Sequence, residues 1–177
     1  MEIEPYIMRR AKFILDEARL DDRKKDQTII YAMRVISNYG VTGKDTSSSG
    51  LKMQNRRMTV GAYERLKELA QNNSFGVAKK VWCSGTISEH PLPYKLYWLQ
   101  VCERAQNITA QDIINEIFGV PVETVLKTED QALTGKGLRS SGTINERRQH
   151  LKFIDCEHAP VKLLRDWTSH KTTFSVG

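Results

Sequence analysis

Residues 108–128, ITAQDIINEIFGVPVETVLKT, constrain this chain more than any other stretch, because several independent local signals there agree on one structure. Thr109 offers a side-chain oxygen to cap a helix, and Asp112, three residues on, can reach back to the Thr109 backbone N–H to complete a capping box. Ile108 and Ile113 flank that cap as a hydrophobic staple. Ile114, Ile117 and Phe118 continue the apolar stripe at helical spacing, and Gly119 stands where a left-handed residue would end the helix. Pro121 cannot extend that helix but suits the first turn of another, so residues 122–127 are expected to form a second short helix.

Helix, glycine turn and helix over these residues resemble the helix-turn-helix of prokaryotic and phage DNA-binding regulators. Ile114 and Phe118 fall on the inward positions of the first helix, Gly119 on the turn and Val125 inside the second. Asn115 and Thr128 depart from the small and aliphatic residues usual at their positions. The resemblance implies that the second helix reads bases, which makes Val122, Glu123, Thr124 and Lys127 the base-reading candidates. The stretch carries Asp112, Glu116 and Glu123 against Lys127, an acidic balance for an element facing phosphates, so attraction to DNA must come from elsewhere.

The chain has 177 residues and a net charge of +6, enough length for one substantial core or two small ones without disulfides. Cys83, Cys102 and Cys156 are odd in number and lack CxxC spacing, which argues against both a disulfide framework and a zinc site. Cys156 and His158 are the nearest approach to a mixed ligand pair; no metal and no cofactor are expected. No apolar run reaches the length of a membrane span, and acidic residues interrupt any signal-like segment at the N-terminus, so the expected location is cytoplasmic, without a membrane partner.

Taken in order, the spacing of Ile3, Ile7, Ala11, Ile14 and Ala18 predicts a helix over residues 5–20. Ile29, Ile30, Met33, Ile36 and Tyr39 predict a second, ended by Gly40. Residues 1–40 therefore form a helical hairpin suited to a core or to homodimerisation. Residues 41–58 read as a basic Gly/Ser-rich loop; Gly40, Gly43 and Lys44 do not have phosphate-loop spacing, and Asp45 replaces its hydroxyl residue. Residues 59–167 are expected to be a helical domain. Thr59 caps a helix to about Asn72, residues 75–82 are helix or strand, and an aromatic helix from Leu92 to Ala105 leads into 108–128. A second basic loop follows at 133–150, then a short apolar segment at 151–154, a helix after Pro160 and a polar tail at 168–177. The expected class is mainly α, a helical domain with a helix-turn-helix and basic Gly/Ser-rich loops.

The two loops repeat one another. Thr42, Gly43 and Lys44 recur as Thr134, Gly135 and Lys136; Ser48, Ser49 and Gly50 recur at the same separation as Ser140, Ser141 and Gly142; Arg56 keeps its offset at Arg148. Residues 41–60 hold Lys44, Lys52, Arg56 and Arg57 against Asp45, and residues 133–152 hold Lys136, Arg139, Arg147, Arg148 and Lys152 against Glu146. These +3 and +4 balances leave the remainder of the chain at −1. Arginine forks, lysines and serine hydroxyls suit phosphate, so Lys44, Ser48, Ser49, Lys52, Arg56 and Arg57 are phosphate-contact candidates, as are Lys136, Arg139, Ser140, Ser141, Arg147 and Arg148.

No GxSxG or HExxH run occurs and no carboxylate cluster suits a nuclease metal, so no enzyme is expected. A DNA-binding transcription regulator of phage or prokaryotic type, acting on double-stranded DNA, ranks first. An RNA-binding or RNA-polymerase-associated factor is the alternative, and a helical protein adaptor the third reading.

Overall fold

The computed structural model describes residues 3–20, 26–44, 47–138, 146 and 149–169. It is mainly helical with one small sheet, and the chain divides into two compact units that interleave in sequence. The first comprises Met1–Thr46 and His90–Pro121; the second comprises Ser47–Glu89 and Val122–Gly177. The N-terminal hairpin thus shares a unit with the aromatic helix and the 108–118 helix, not with the rest of the chain.

In the first unit, α1 spans Pro5–Arg19 and α2 Asp26–Thr42. Their expected stripes are the buried ones: Ile7, Ala11 and Ile14 on α1, and Ile29, Met33 and Ile36 on α2. Gly40 does not end α2. The helix runs through it to Thr42, and the left-handed glycine that follows is Gly43, at φ 66°. Gly40 instead allows close approach, since a Cβ there would stand 2.8 Å from Phe118 Cδ1. In the second unit, α3 (Ser48–Gln54) and β1 (Arg57–Thr59) replace the expected loop. Ser47 makes the difference, accepting from the Gly50 N–H at 3.1 Å to cap α3.

Thr59 caps α4 (Val60–Asn72) as expected, accepting from Ala62 N at 3.1 Å. The ambiguous stretch after it is helical: α5 spans Phe75–Gly85, and β2 follows at Thr86–Glu89. Returning to the first unit, α6 (Tyr94–Arg104) buries Tyr94, Tyr97, Trp98 and Val101. Leu96 and Leu99 face outward, 46% and 43% exposed. Helix α7 (Ala110–Phe118) has the expected capping box, with Thr109 N donating to Asp112 Oδ2 at 2.8 Å and Asp112 N to Thr109 Oγ1 at 3.2 Å. These four helices share a single core, onto whose surface Ile108 and Phe118 pack.

The second helix of the expected helix-turn-helix is absent. Gly119 has ordinary right-handed geometry at φ −64°, and Glu123–Leu126 form a strand, β3. Three of the five residues from Val122 to Leu126 are β-branched, a composition that fits a pleated, buried surface better than an isolated helical turn. With β4 at Phe153–Asp155, the sheet order is β2-β3-β1-β4, β3 being antiparallel to β2 and parallel to β1. Helix α8 (Lys127–Gly135) follows β3 directly; β4 (Phe153–Asp155) pairs with β1, and α9 (Pro160–Ser169) packs on α3, α4 and α5. The core of this unit gathers Met53, Met58, Leu66, Trp82 and Leu164.

Candidate nucleic-acid interface

Three of the four base-reading candidates are buried, Glu123 and Thr124 within β3 and Val122 just before it. Val122, Glu123 and Thr124 are 0%, 3% and 0% exposed, because β3 has a hydrogen-bonded neighbour on each side. Asn55 fixes the strand, its Nδ2 donating to Val122 O at 2.9 Å and to Thr124 Oγ1 at 3.1 Å. Glu123 accepts from Arg57 Nε at 3.0 Å. These side chains hold the fold and present nothing to a groove of DNA. Lys127 differs: it is exposed at the first position of α8.

The phosphate-contact candidates divide in the same way. Arg57 is tied to Glu123, donates through Nη1 to Asp155 Oδ2 at 2.7 Å, and lies over the Phe153 ring at 5.3 Å. Lys52 sends its ammonium inward to Cys83 O at 2.7 Å and Thr86 O at 2.6 Å, and burial draws its pKa down. Both cations are engaged within the fold, Arg57 by carboxylates and Lys52 by carbonyls. Lys44, Ser48, Ser49 and Arg56 are exposed. Lys136 is exposed too, with Nζ 3.2 Å from His150 Nδ1. Arg139, Ser140, Ser141, Arg147 and Arg148 lie outside the described residues.

The repeat has a shared local use at its first triplet. Thr134 Oγ1 donates to Asp130 O at 3.0 Å, and Thr42 Oγ1 lies 3.0 Å from Asn38 O and 2.6 Å from Lys44 O, so each hydroxyl sits against carbonyls at a helix C-terminus. The turns then differ, since the left-handed glycine is Gly43 in one copy and Gly137, at φ 70°, in the other.

Charge also separates by unit. The first unit contains 11 Lys and Arg against 11 Asp and Glu, and the second 16 against 10, so the whole +6 belongs to the second. Arg56, Lys67, Lys79, Lys80, Lys127 and Lys152 are exposed there. Helix α7, with Asp112 and Glu116, belongs to the neutral unit, where Glu116 accepts both guanidinium bonds of Arg104 at 2.9 Å.

Within the basic unit, the central parallel strands β1 and β3 run straight into α4 and α8, placing two helix N-termini at the carboxyl ends of these strands. Ligands of α/β sheets sit outside the carboxyl ends of parallel strands. Beside the β3–α8 junction lies a groove of about 310 Å³, with Arg65, Ser84 and Thr128 at its polar parts and Val81, Trp82 and Leu126 at its apolar ones. No sequence signal marks Arg65, Ser84 or Thr128: they sit on separate elements, and only the fold gathers them.

Among the described residues no group of three or more His, Cys, Asp or Glu could hold a metal ion, and no helix is long and apolar enough to cross a membrane. Burial pushes the Cys83 and Cys156 thiols above the usual range, away from thiolate chemistry. No family model, curated protein or solved structure matches the chain.

Proposed function

We propose that the chain is a DNA-binding regulator whose contact body is the basic second unit, with attraction to the phosphate backbone as the main source of affinity. The observation that carries this reading is the charge segregation: 16 cations against 10 anions in one compact unit, while the other is neutral. Such a field concentrates polyanions, and exposed lysines and arginines release counterions when they meet phosphates. The helix-turn-helix has no part in the proposal, because its reading helix is a buried strand. Arg56, Lys79, Lys80, Lys127 and Lys136 are the assigned backbone contacts, and sequence preference enters through whatever the groove and its rim touch.

The test is fluorescence anisotropy of a random-sequence duplex and of a single-stranded RNA across a salt series. Binding to the duplex should fall linearly in log–log form, each neutralised phosphate adding roughly 0.9 to the slope. Reversing Lys79 and Lys80 together to Glu should weaken binding for every sequence and flatten that slope. Preference for single-stranded RNA would transfer the proposal to the RNA-binding alternative, and no affinity for either at low salt would leave the adaptor.

A further inference from the structure

We infer that α5 is the helix that reads sequence, lying in the major groove of duplex DNA with Val77, Val81 and Ser84 toward base edges and Lys79 and Lys80 toward phosphates. The inference rests on the nucleic-acid reading and names the element that gives it sequence preference.

Helix α5 has one face held and one face open. The held face buries Ala78 and Trp82, and Trp82 Nε1 donates to Ala62 O of α4 at 3.1 Å. The Arg165 guanidinium of α9 lies over the Phe75 ring at 5.7 Å. Two residues, Asn73 and Ser74, join α5 to α4, and Asn73 donates back to Leu69 O through its backbone N at 3.0 Å and its Nδ2 at 3.1 Å. At the other end Thr86 Oγ1 donates to Trp82 O at 2.8 Å and Lys52 Nζ to Cys83 O at 2.7 Å. A helix fixed at both ends meets a partner already ordered.

The open face suits a DNA groove in charge, shape and chemistry. Gly76, Val77, Lys80, Val81 and Ser84 recur at helical spacing and are exposed, Val77 by 49% and Val81 by 37%. Lys79 flanks them, and neither lysine has an ion-pair partner among the described residues. Residues 75–85 contain no Asp or Glu, whereas α4 carries Glu64 and Glu68, α8 Glu129 and Asp130, and α9 Asp166. Helix α3 turns its cation, Lys52, inward. An α-helix with its side chains is about 10–12 Å across and the major groove about 12 Å wide, so α5 can enter it. Valine methyls match the C5 methyl of thymine, and Ser84 Oγ, which donates to Val81 O at 2.8 Å, keeps its lone pairs for a base amino group. Gly76 lets the backbone of the first turn come close, since a Cβ there would meet no atom within 4 Å. Ser74 makes no side-chain cap bond, which leaves first-turn N–H donors for a phosphate.

A random duplex pool should be selected on the full chain, and the recovered site compared with an unrelated duplex by fluorescence anisotropy. The parent should recover a site containing thymine and prefer it at least tenfold. Val77→Ser/Val81→Ser, its folding checked by circular dichroism, should lose most of that preference and keep the salt slope. Deoxyuridine in place of the site's thymines removes methyl groups alone, and should weaken the parent about fourfold per contacted methyl without affecting the double variant. Gly76→Leu favours the helix, so its expected tenfold loss of site affinity is not a loss of folding. Leu96→Ser/Leu99→Ser on α6 should leave the preference unchanged. Duplex binding without any recovered preference, or a preference that survives both α5 variants, would overturn the assignment of α5 and leave the nucleic-acid reading standing. Poly-glutamate displacing the site as well as unlabelled site duplex does would assign the face to an acidic protein and overturn it too. Absence of duplex affinity at low salt would overturn the nucleic-acid reading itself, and this inference with it.

Discussion

The Glu129 carboxylate accepts a 2.6 Å hydrogen bond from the Thr59 hydroxyl and thereby joins the starts of two helices that leave parallel neighbouring strands. Thr59 is doubly used, since the same oxygen accepts from Ala62 N to cap α4. Gly61 makes room for this arrangement: a Cβ there would stand 2.5 Å from Glu129 Oε1 and 3.3 Å from Leu126 Cδ1. Alanine normally gains up to about 1 kcal/mol over glycine in a helix, whereas steric crowding costs about 1–3 kcal/mol, so Gly61→Ala should destabilise. In a Glu129→Ala background the same change should turn neutral or stabilising. Urea midpoints of the four proteins measure the cycle, and additivity would show that the carboxylate is not the obstacle.

Gly40 and Phe118 pose a similar question in the other unit. The obstacle is a ring, with Cδ1 at 2.8 Å and Cε1 at 3.0 Å from the added carbon, on a side chain packed against the core. A ring held this way yields less than a carboxylate tip, so Gly40→Ala should cost about 1–2 kcal/mol net of its helix propensity. Phe118→Leu should cancel that cost. Equal thermal stability of Gly40→Ala and the parent would mean that the helices separate freely here.

The sequence discloses a feature of this fold to the extent that its signal is local. Thr109 with Asp112, and Thr59 with Ala62, satisfy one another within a single turn, so composition and spacing disclosed them. The stripes on α1 and α2 repeat over several turns and were equally legible. Strand β3 was not. Its four residues are too few to show a period of two, it is buried on both faces, and its partners, Met58 and Ile87, come from distant segments. Pro121 and the glycine before it are compatible with either outcome. Gly40 is ambiguous for a related reason: a glycine that ends a helix and one that admits a ring from another helix look identical in one dimension. Arg57 looked like a phosphate ligand because Glu123 and Asp155 are 66 and 98 residues away.

His90 gives a pH prediction. Burial, with the nearby Arg34 charge second, draws its pKa down to about 4, and the neutral ring lies with Nδ1 3.0 Å from the Tyr94 hydroxyl. In the unfolded chain the imidazole titrates near 6.5, so between about 6.5 and about 4 the unfolded state binds the extra proton. Stability should therefore be fully present above about 6.5, decline as pH falls, and lose nothing further from this group below about 4. The whole effect is at most on the order of 3 kcal/mol. His90→Gln should flatten this part of the profile in urea titrations at several pH values; a slope unchanged by the substitution would assign it to other groups.

Arg56 and Arg57 are neighbours in sequence with opposite expected phenotypes. Arg57 faces a carboxylate that is 3% exposed, and withdrawing a cation from such a site costs about 3–5 kcal/mol when the pair is fully buried. Arg57 is itself partly exposed and Asp155 largely so, which lowers the expectation for Arg57→Ala to about 2–3 kcal/mol. Arg57→Lys should recover part of this, since an ammonium cannot reproduce the fork between Glu123 and Asp155. Arg56 is exposed, so Arg56→Ala should change stability by less than about 0.5 kcal/mol while reducing nucleic-acid affinity and the salt slope by roughly one phosphate contact. Denaturation and salt-dependent binding measured on the same samples separate the two roles. A stable Arg57→Ala protein with weakened binding would return Arg57 to the interface and remove it from the sheet's support.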